Sequence, residues 1–583
     1  MPDGPLIIQS DHTLLLEVDH AGYADARNDL LGFAELVKSP EHVHTYRITP
    51  LSVWNARAAG LTADRMVEAL EWHARFPPPG NVIRELREQA QRYGRLRLVK
   101  ARDADFSEDL RLQVDSVELA DQLAKTKGLD AHLTQRSKDD PTVFHLDPAS
   151  RGHVKQALIK AGYPAEDYAG YTGGAALDLS LRAATKQRPG EPFALRPYQQ
   201  DAVDAFSGAA KESGESTSGS GVIVLPCGSG KTVIGIAAMA AAGTATLILA
   251  PSTTAVRQWI AELLDKTTLE AHQVAEYSGT TKDIAEVTVA TYQVLTSRKT
   301  RDAAHSHLEL FDREDWGLIV YDEVHLLPAP VFAATATIQS RRRLGLTATL
   351  VREDGREEDV FALIGPKKAD VPWKTLEGQG WIAKARCVEV RVEMPEPRMR
   401  EYHAADRRSM FRIASENPAK AAQVKRILAL HPDEPALVIG MYVDQLKELA
   451  AELDAPLIVG TTGQRKRDAL FESFRKGEIP VLVVSKVANF AVDLPDASLA
   501  VQVSGTFGSR QEEAQRLGRL LRPKAPKEGA GHDPEGNQAH FYSLVSRDTN
   551  EQEFALNRQL FLCEQGYQYR LVDAEQDDAV LRA

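Results

Sequence analysis

Two tandem sets of short, continuous apolar runs constrain this chain more than any other feature. The first set is GVIVLP, TLILAPS, VTVATY, LIVYDEVH and LGLTAT, beginning after about residue 193; the second is ALVIGM, PLIVG, VLVVSK, LAVQVS and HFYSLVS. Apolar runs of this kind between helical stretches mark strands buried on both faces, the mark of a parallel sheet covered by helices. The expected fold class is therefore α/β, with two tandem doubly wound parallel-sheet domains over residues 191–372 and 373–575. At 583 residues the chain is too long for one hydrophobic core, so further modules must precede these two. Residues 1–105 read as a mostly helical module: TPLSVWNARAAG, ADRMVEALEWHARF and VIRELREQAQRYG are separated by turns and followed by the strand LRLVK. A winged-helix-like unit and plain packing both fit that pattern. Residues 106–190 read as a small α/β module, and residues 576–583 as an acidic, solvated tail. The segments 207–220 and 525–538, rich in Gly, Ser and charge, read as surface loops.

Apolar residues at 43% and charged ones at 26% are ordinary for a soluble globular protein. A net charge of −12 speaks of solubility and does not exclude a local basic track for a polyanion. The three cysteines, Cys227, Cys387 and Cys563, form no CxxC and no Cys/His cluster, which argues against a structural zinc or a disulfide framework. No apolar run approaches the roughly 18 residues of a membrane span. The expectation is a soluble, cytoplasmic chain with no membrane partner.

Chemistry-bearing residues fall at the ends of the apolar runs. In GVIVLPCGSGKT a strand enters a glycine-rich turn and then a helix. Gly228 and Gly230 let backbone N–H groups, including that of Ser229, turn toward phosphates; Lys231 would reach the β and γ phosphates, and Thr232 could ligate Mg²⁺. The generic phosphate-loop pattern fails at its first glycine, where this chain has Leu225. Downstream, LIVYDEVH ends a buried strand in two carboxylates. Asp322 is expected to hold the metal and Glu323 to activate water. In QEEAQRLGRLLRPK, Gln515, Arg516, Arg519 and Arg522 share one stretch, with Arg519 and Arg522 on one helical face, able to neutralise a transferring phosphoryl group. An arginine run alone usually covers a solvated helix. A third basic feature lies at 384–430, where 11 Lys/Arg face 6 Asp/Glu. Its core clusters Arg398, Arg400, Arg407, Arg408 and Arg412 on expected helices, which suits phosphate-backbone contact or a solvated face.

DEVH, LGLTATLVRED, IGPK, SKV…DLP and QRLGRLLR, in this order, resemble the XPB family of superfamily 2 helicases, in its prokaryotic type. The likeness extends upstream to LRPYQ and downstream to FYSLVSRDT and EQGYQYRL. The resemblance implies two RecA-like domains, a thumb-like insert at about 395–430, and a damage-recognition-like second module. It implies ATP and Mg²⁺ as nucleotide and cofactor. Gln199 would read the adenine edge, and Thr347 to Thr349 would couple hydrolysis to strand movement. Arg352, Glu353 and Asp354 match the family's RED triplet, linked to duplex opening. Ser252, Thr253 and Thr291 would touch the DNA backbone, as would Thr462 and Arg465. Asp493 would face the ribose or the domain interface; the adjacent Asn489-Phe490 departs from the family's small or hydroxyl residues. His325 would link the ATP and nucleic-acid sites, and Cys227 is a small loop residue.

The expected activity is that of an ATP-dependent DNA helicase or translocase moving 3′ to 5′, in repair or transcription-linked remodelling. An ATP-switched DNA clamp within a larger assembly would share every catalytic residue. An unrelated metabolic NTPase is disfavoured by the second domain with its arginine-bearing motif. Expected partners are single-stranded or forked DNA and a nuclease or repair protein, with the chain itself a monomer.

Overall fold

The computed structural model describes residues 4–38, 42–102, 108–169, 173–187, 189–208, 219–226, 229–279, 281–297, 307, 310–337, 341–348, 357–371, 376, 384–485, 497–504, 538–564 and 569–582. They divide into two compact units. One is formed by 1–35, 45–225 and 230–370, the other by 371–583 with the short segments 36–44 and 226–229.

The N-terminal region holds a four-stranded sheet as well as the expected helices. β1 (Leu6–Ile8), β2 (Thr13–Glu17), β3 (Glu35–Lys38) and β4 (Val43–Arg47) lie in the order β1-β2-β4-β3. These strands are hard to read because the apolar runs of β1 and β2 are only three residues long and β3 and β4 mix charged with apolar residues; within β2, Leu14 and Leu16 are buried while Leu15 is not. Three helices follow, Pro50–Ala58, Ala63–His73 and Gly80–Arg92. The first two start where a threonine hydroxyl accepts a backbone N–H: Thr49 from Ser52, with Pro50 in the first turn, and Thr62 from Arg65.

The second module is a five-stranded sheet of β5 (Leu96–Arg102), β6 (Glu108–Val114), β7 (Gln135–Arg136), β8 (Val143–Leu146) and β9 (Ala165–Tyr168), in the order β7-β8-β6-β5-β9. Its helix Arg151–Lys160 seats the module on the domain that follows. A Cβ at Gly152 would come within 2.3 Å of the Ala336 carbonyl oxygen, so only glycine permits the contact. Gln156 donates to Asp359 at 2.8 Å across the same junction. Beneath it Arg151 and Lys155 both pair with Asp167. Burial, aided by Arg343 and Arg151, pushes Lys155 down to about 8 against the opposing pull of Asp167.

The first large sheet domain is all-parallel and seven-stranded: β10 (Ser220–Val224), β11 (Thr246–Ala250), β12 (Val274–Tyr277), β13 (Val287–Thr291), β14 (Leu318–Asp322), β15 (Arg342–Thr347) and β16 (Lys367–Asp370), ordered β12-β13-β11-β14-β15-β10-β16. The second repeats the plan with β17 (Lys384–Val392), β18 (Ala436–Gly440), β19 (Leu457–Ile458), β20 (Val481–Ser485), β21 (Leu499–Gln502), β22 (Gln538–Ser546) and β23 (Tyr569–Asp573), ordered β19-β20-β18-β21-β22-β17-β23. These are two tandem RecA-like α/β domains. β18 and β21 are buried along their whole length, as their apolar runs require.

The insert after β17 is three helices, Glu396–Ala404, Arg407–Ser415 and Ala419–Leu430. Their base is held by a polar network in the core. Lys420 Nζ pairs with Glu551 at 2.8 Å and donates to the Val503 carbonyl, and Glu551 accepts the Ser546 N–H. The C-terminus differs from the solvated tail read in the sequence. Asp578–Arg582 is a short helix whose Leu581 is wholly buried, and Arg426 binds Asp578 and the carbonyls of Ala574 and Gln576. The acidic residues are exposed, while Ala574 and Leu581 fill the core between them.

Candidate nucleotide site

In an open parallel sheet, ligands gather at the carboxyl ends of the strands, where helix N-termini and backbone N–H groups face one crevice. In the first RecA-like domain that edge collects the sequence-predicted residues. Ser229, Gly230, Lys231 and Thr232 follow β10, Ser252 and Thr253 follow β11, Thr291 ends β13, Asp322 ends β14, and Thr347 ends β15.

Lys231 opens the helix Lys231–Ala242 behind Gly230, which has φ 84. A Cβ there would be strained by the backbone and would strike Gln199 Nε2 at 2.6 Å. Gln199 is buried, its Oε1 accepting the Arg196 N–H at 2.9 Å, and its amide nitrogen rests against the phosphate loop. Lys231 Nζ lies 3.0 Å from Glu323 Oε1, with both side chains about nine-tenths buried.

The two carboxylates are set apart by their surroundings. Burial, then the neighbouring Glu323, pushes Asp322 up to about 6. Burial opposes ionisation of Glu323 as well, but Lys231 and His325 outweigh it and hold that carboxyl below its ordinary value. Glu323 takes φ 49, a left-handed backbone rare outside glycine. Trp259 Nε1 donates to Asp322 Oδ2 at 2.9 Å, and Tyr292 Oη donates to the Asp322 carbonyl at 2.9 Å. His325 Nδ1 lies 2.6 Å from Thr347 Oγ1 and 3.5 Å from Glu323 Oε2, so a polar path runs from Lys231 through Glu323 and His325 to Thr347. Trp259 and Tyr292 are neighbours of Asp322 that nothing in the sequence singles out. Each is a lone aromatic in an amphipathic stretch, where packing on the core explains it equally well.

The residues expected to touch nucleic acid are less uniform. Ser252 accepts the Ala255 N–H and caps Thr253–Lys266, on whose first residue the half-buried Thr253 sits. Thr291 is 2% exposed and its hydroxyl accepts the Val294 N–H, which makes it a helix cap in this structure. In the second unit, Thr462 accepts the Val459 N–H and Arg465 is exposed on the first turn of Gln464–Arg475. Arg407 is exposed on the second insert helix. Arg398, Arg400 and Arg412 pair with Glu401, Glu396 and Glu416, three or four residues away. Local carboxylates thus neutralise much of the basic stretch. Cys227, Gly228, Thr349, Arg352, Glu353, Asp354, Asn489, Phe490, Asp493, Gln515, Arg516, Arg519 and Arg522, with the Arg408 side chain, lie outside the described residues.

Comparison with known proteins bears on the whole chain. The family description "ERCC3/RAD25/XPB C-terminal helicase" matches residues 376–580, "Type III restriction enzyme, res subunit" matches 192–352, and "Helicase conserved C-terminal domain" matches 6–138. A DNA 3′-5′ helicase XPB of Mycobacterium tuberculosis is 53% identical over 575 residues, covering 99% of both chains. The chain belongs to the XPB family. A second XPB, from Kineococcus radiotolerans, is 52% identical over 99% of this chain and 98% of its own. An XPB named as a subunit of general transcription and DNA repair factor IIH, from Antonospora locustae, is 35% identical over 98% of this chain and 82% of its own. Among solved structures, the Pyrococcus furiosus Hef helicase domain is 16% identical with a TM-score of 0.41, covering 62% of this chain and 97% of its own. The RecA-like fold of this XPB-family chain rests on its strand order.

Proposed function

We infer that the chain is an ATP-dependent DNA helicase, a DNA-stimulated ATPase that travels 3′ to 5′. The observation that carries this reading is the triad of Lys231, Asp322 and Glu323 at the carboxyl edge of an all-parallel sheet, in a chain of the XPB family. A phosphate approaching Lys231 replaces Glu323 as its partner and frees that carboxylate to accept a proton from water. The residues present fit Mg²⁺: two adjacent half-buried carboxylates, one pushed up to about 6, call for a cation, and Asp322 with Thr232 would hold it. When bound, the ion neutralises charge on the phosphates. Gly228, Ser229, Gly230 and Thr232 would cradle the phosphates, Gln199 would face the base and Asp493 the ribose. Gln515, Arg519 and Arg522 are proposed to complete the transition-state charge.

For DNA, Ser252, Thr253, Thr291, Thr462, Arg465, Arg407 and Arg408 are the proposed backbone contacts, and Arg352, Glu353 and Asp354 the proposed duplex-opening element. The domain limits proposed are 191–372 and 373–575, with the insert at about 395–430. The substrate proposed is single-stranded or forked DNA, met in the cytoplasm by a monomer, in DNA repair or transcription-linked remodelling with a nuclease or repair protein as partner. The ion-paired insert is the observation that favours the second reading, an ATP-switched clamp with weak unwinding.

Strand displacement decides between them. A duplex with a 3′ tail should be opened in the presence of ATP, a 5′-tailed duplex should not, and Glu323→Gln should open neither. ATP hydrolysis on the 3′-tailed substrate without displacement would favour the clamp.

A further inference from the structure

At the amino edge of the second motor sheet, three potential ligands converge from separate elements. His431 ends the helix Ala419–Leu430, Glu434 stands in the turn before β18, and His540 lies near the start of β22. One ligand atom from each lies within 4.8 Å of the other two. His431 Nδ1 is 2.9 Å from Glu434 Oε1, and His540 Nε2 is 3.7 Å from the same oxygen.

Tyr542, two residues along the strand from His540, fixes the protonation pattern. Its hydroxyl donates to the Leu581 carbonyl at 2.9 Å, which commits its single proton. Its oxygen therefore accepts from His431 Nε2–H, also at 2.9 Å. The neutral imidazole then presents the Nδ1 lone pair to a carboxylate oxygen. Two acceptors at that distance need a cation between them, a second proton or a metal ion. A proton would account for His431 and Glu434 alone; His540, whose ring packs on that of His431 with centroids 4.4 Å apart, also turns Nε2 toward the same oxygen beyond hydrogen-bond range. A tetrahedral zinc with bonds of roughly 2.0–2.1 Å separates its ligand atoms by about 3.3 Å, between the two distances observed.

We propose that His431, Glu434 and His540 form a zinc site that ties the last insert helix to the motor sheet. Tyr542 is its positioning residue, holding His431 in the tautomer that ligates through Nδ1 and linking the site to the C-terminal helix at Leu581. The Glu434 side chain is 29% exposed, so water can reach the fourth position. The absence of a cysteine cluster in the sequence does not bear on this site, whose ligands are two histidines and a glutamate, with His540 far along the chain from the other two.

The test uses the purified full chain, incubated with zinc, freed of excess metal and analysed for metal content, with thermal unfolding read on the same samples. About one zinc per chain is expected, with a rise in unfolding temperature that a chelator reverses. His540→Gln should lose the ion, and Tyr542→Phe should weaken zinc affinity about 10- to 100-fold while ATP turnover is unchanged. Cobalt(II) in place of zinc should give the visible absorption of a tetrahedral site in the natural chain, so the proposal remains testable if a variant fails to fold. Absence of bound zinc and of cobalt absorption, or full zinc retention by soluble His540→Gln, would overturn the proposal and leave a proton as the shared cation.

Discussion

Each of the two units holds a lysine–glutamate pair, one fully buried and one within reach of solvent, and the two differ in what fills their remaining hydrogen-bonding groups. Lys231 and Glu323 meet at 3.0 Å with side chains 11% and 13% exposed, on a left-handed glutamate at the end of a strand. Lys420 and Glu551 meet at 2.8 Å, 1% and 0% exposed, with the lysine also bound to a carbonyl and the glutamate to a backbone N–H and Ser415. A buried ion pair whose remaining hydrogen-bonding groups are filled has nothing to exchange and acts as a structural pin. A pair reached by solvent can give up its partner to an incoming phosphate. The lesson is that burial alone does not mark a catalytic charge; the partner it can exchange does.

The largest effect should come from breaking the exchangeable pair. Lys231→Ala should lower ATP turnover by about a hundredfold to a thousandfold or more, through lost stabilisation of phosphoryl charge, with little change in thermal unfolding. Wild-type turnover in that variant would detach the lysine from the phosphates. Lys420→Ala should do the reverse. It strands a buried carboxylate at a cost of about 3–5 kcal/mol, so unfolding shifts to lower temperature, whereas the double change Lys420→Met with Glu551→Leu should recover most of the loss. Unchanged unfolding in Lys420→Ala would show that the second pair is not a pin.

Smaller effects sharpen the contrast. Trp259→Phe removes a hydrogen bond to a charged group, worth about 1.5–3 kcal/mol, and should slow turnover about tenfold or more while leaving the fold intact. Equal loss of turnover and stability would make Trp259 a packing residue only. The smallest effect belongs to the insert. Arg407→Ala should reduce the slope of log K against log salt for duplex DNA by about 0.9, whereas Arg400→Ala, already balanced by Glu396, should not. Equal slopes in all three proteins would return Arg407 to a solvated face.

The interior strands, and the placement of Lys231, Asp322 and Glu323 at one sheet edge, were legible because they share one cause: a strand buried on both faces must be apolar until it reaches the crevice. The strands VAEY, KKAD, KARCVEVRV and YRLVD were not, since they lie at or near sheet edges and mix charge with apolar residues. The N-terminal sheet was missed because its apolar runs are at most three residues long or are mixed with charge. Chemical spacing was legible where ligands adjoin in sequence, as in Asp322-Glu323. It failed for Trp259 and Tyr292, and for His431 with His540, which only tertiary folding brings together. The caps at Ser252 and Thr291 show a further limit, since a hydroxyl at a strand end serves a helix N-terminus as readily as a DNA phosphate.

The account is tested most directly by steady-state ATP turnover over a titration of single-stranded DNA, with DNA binding followed on the same samples and Glu323→Gln run alongside. A low basal rate raised severalfold or more by DNA is expected, together with a Glu323→Gln protein that binds ATP and DNA yet shows no turnover. Turnover that stays flat while DNA is demonstrably bound, or hydrolysis that survives in Glu323→Gln, would contradict the assignment of this site as a DNA-driven motor.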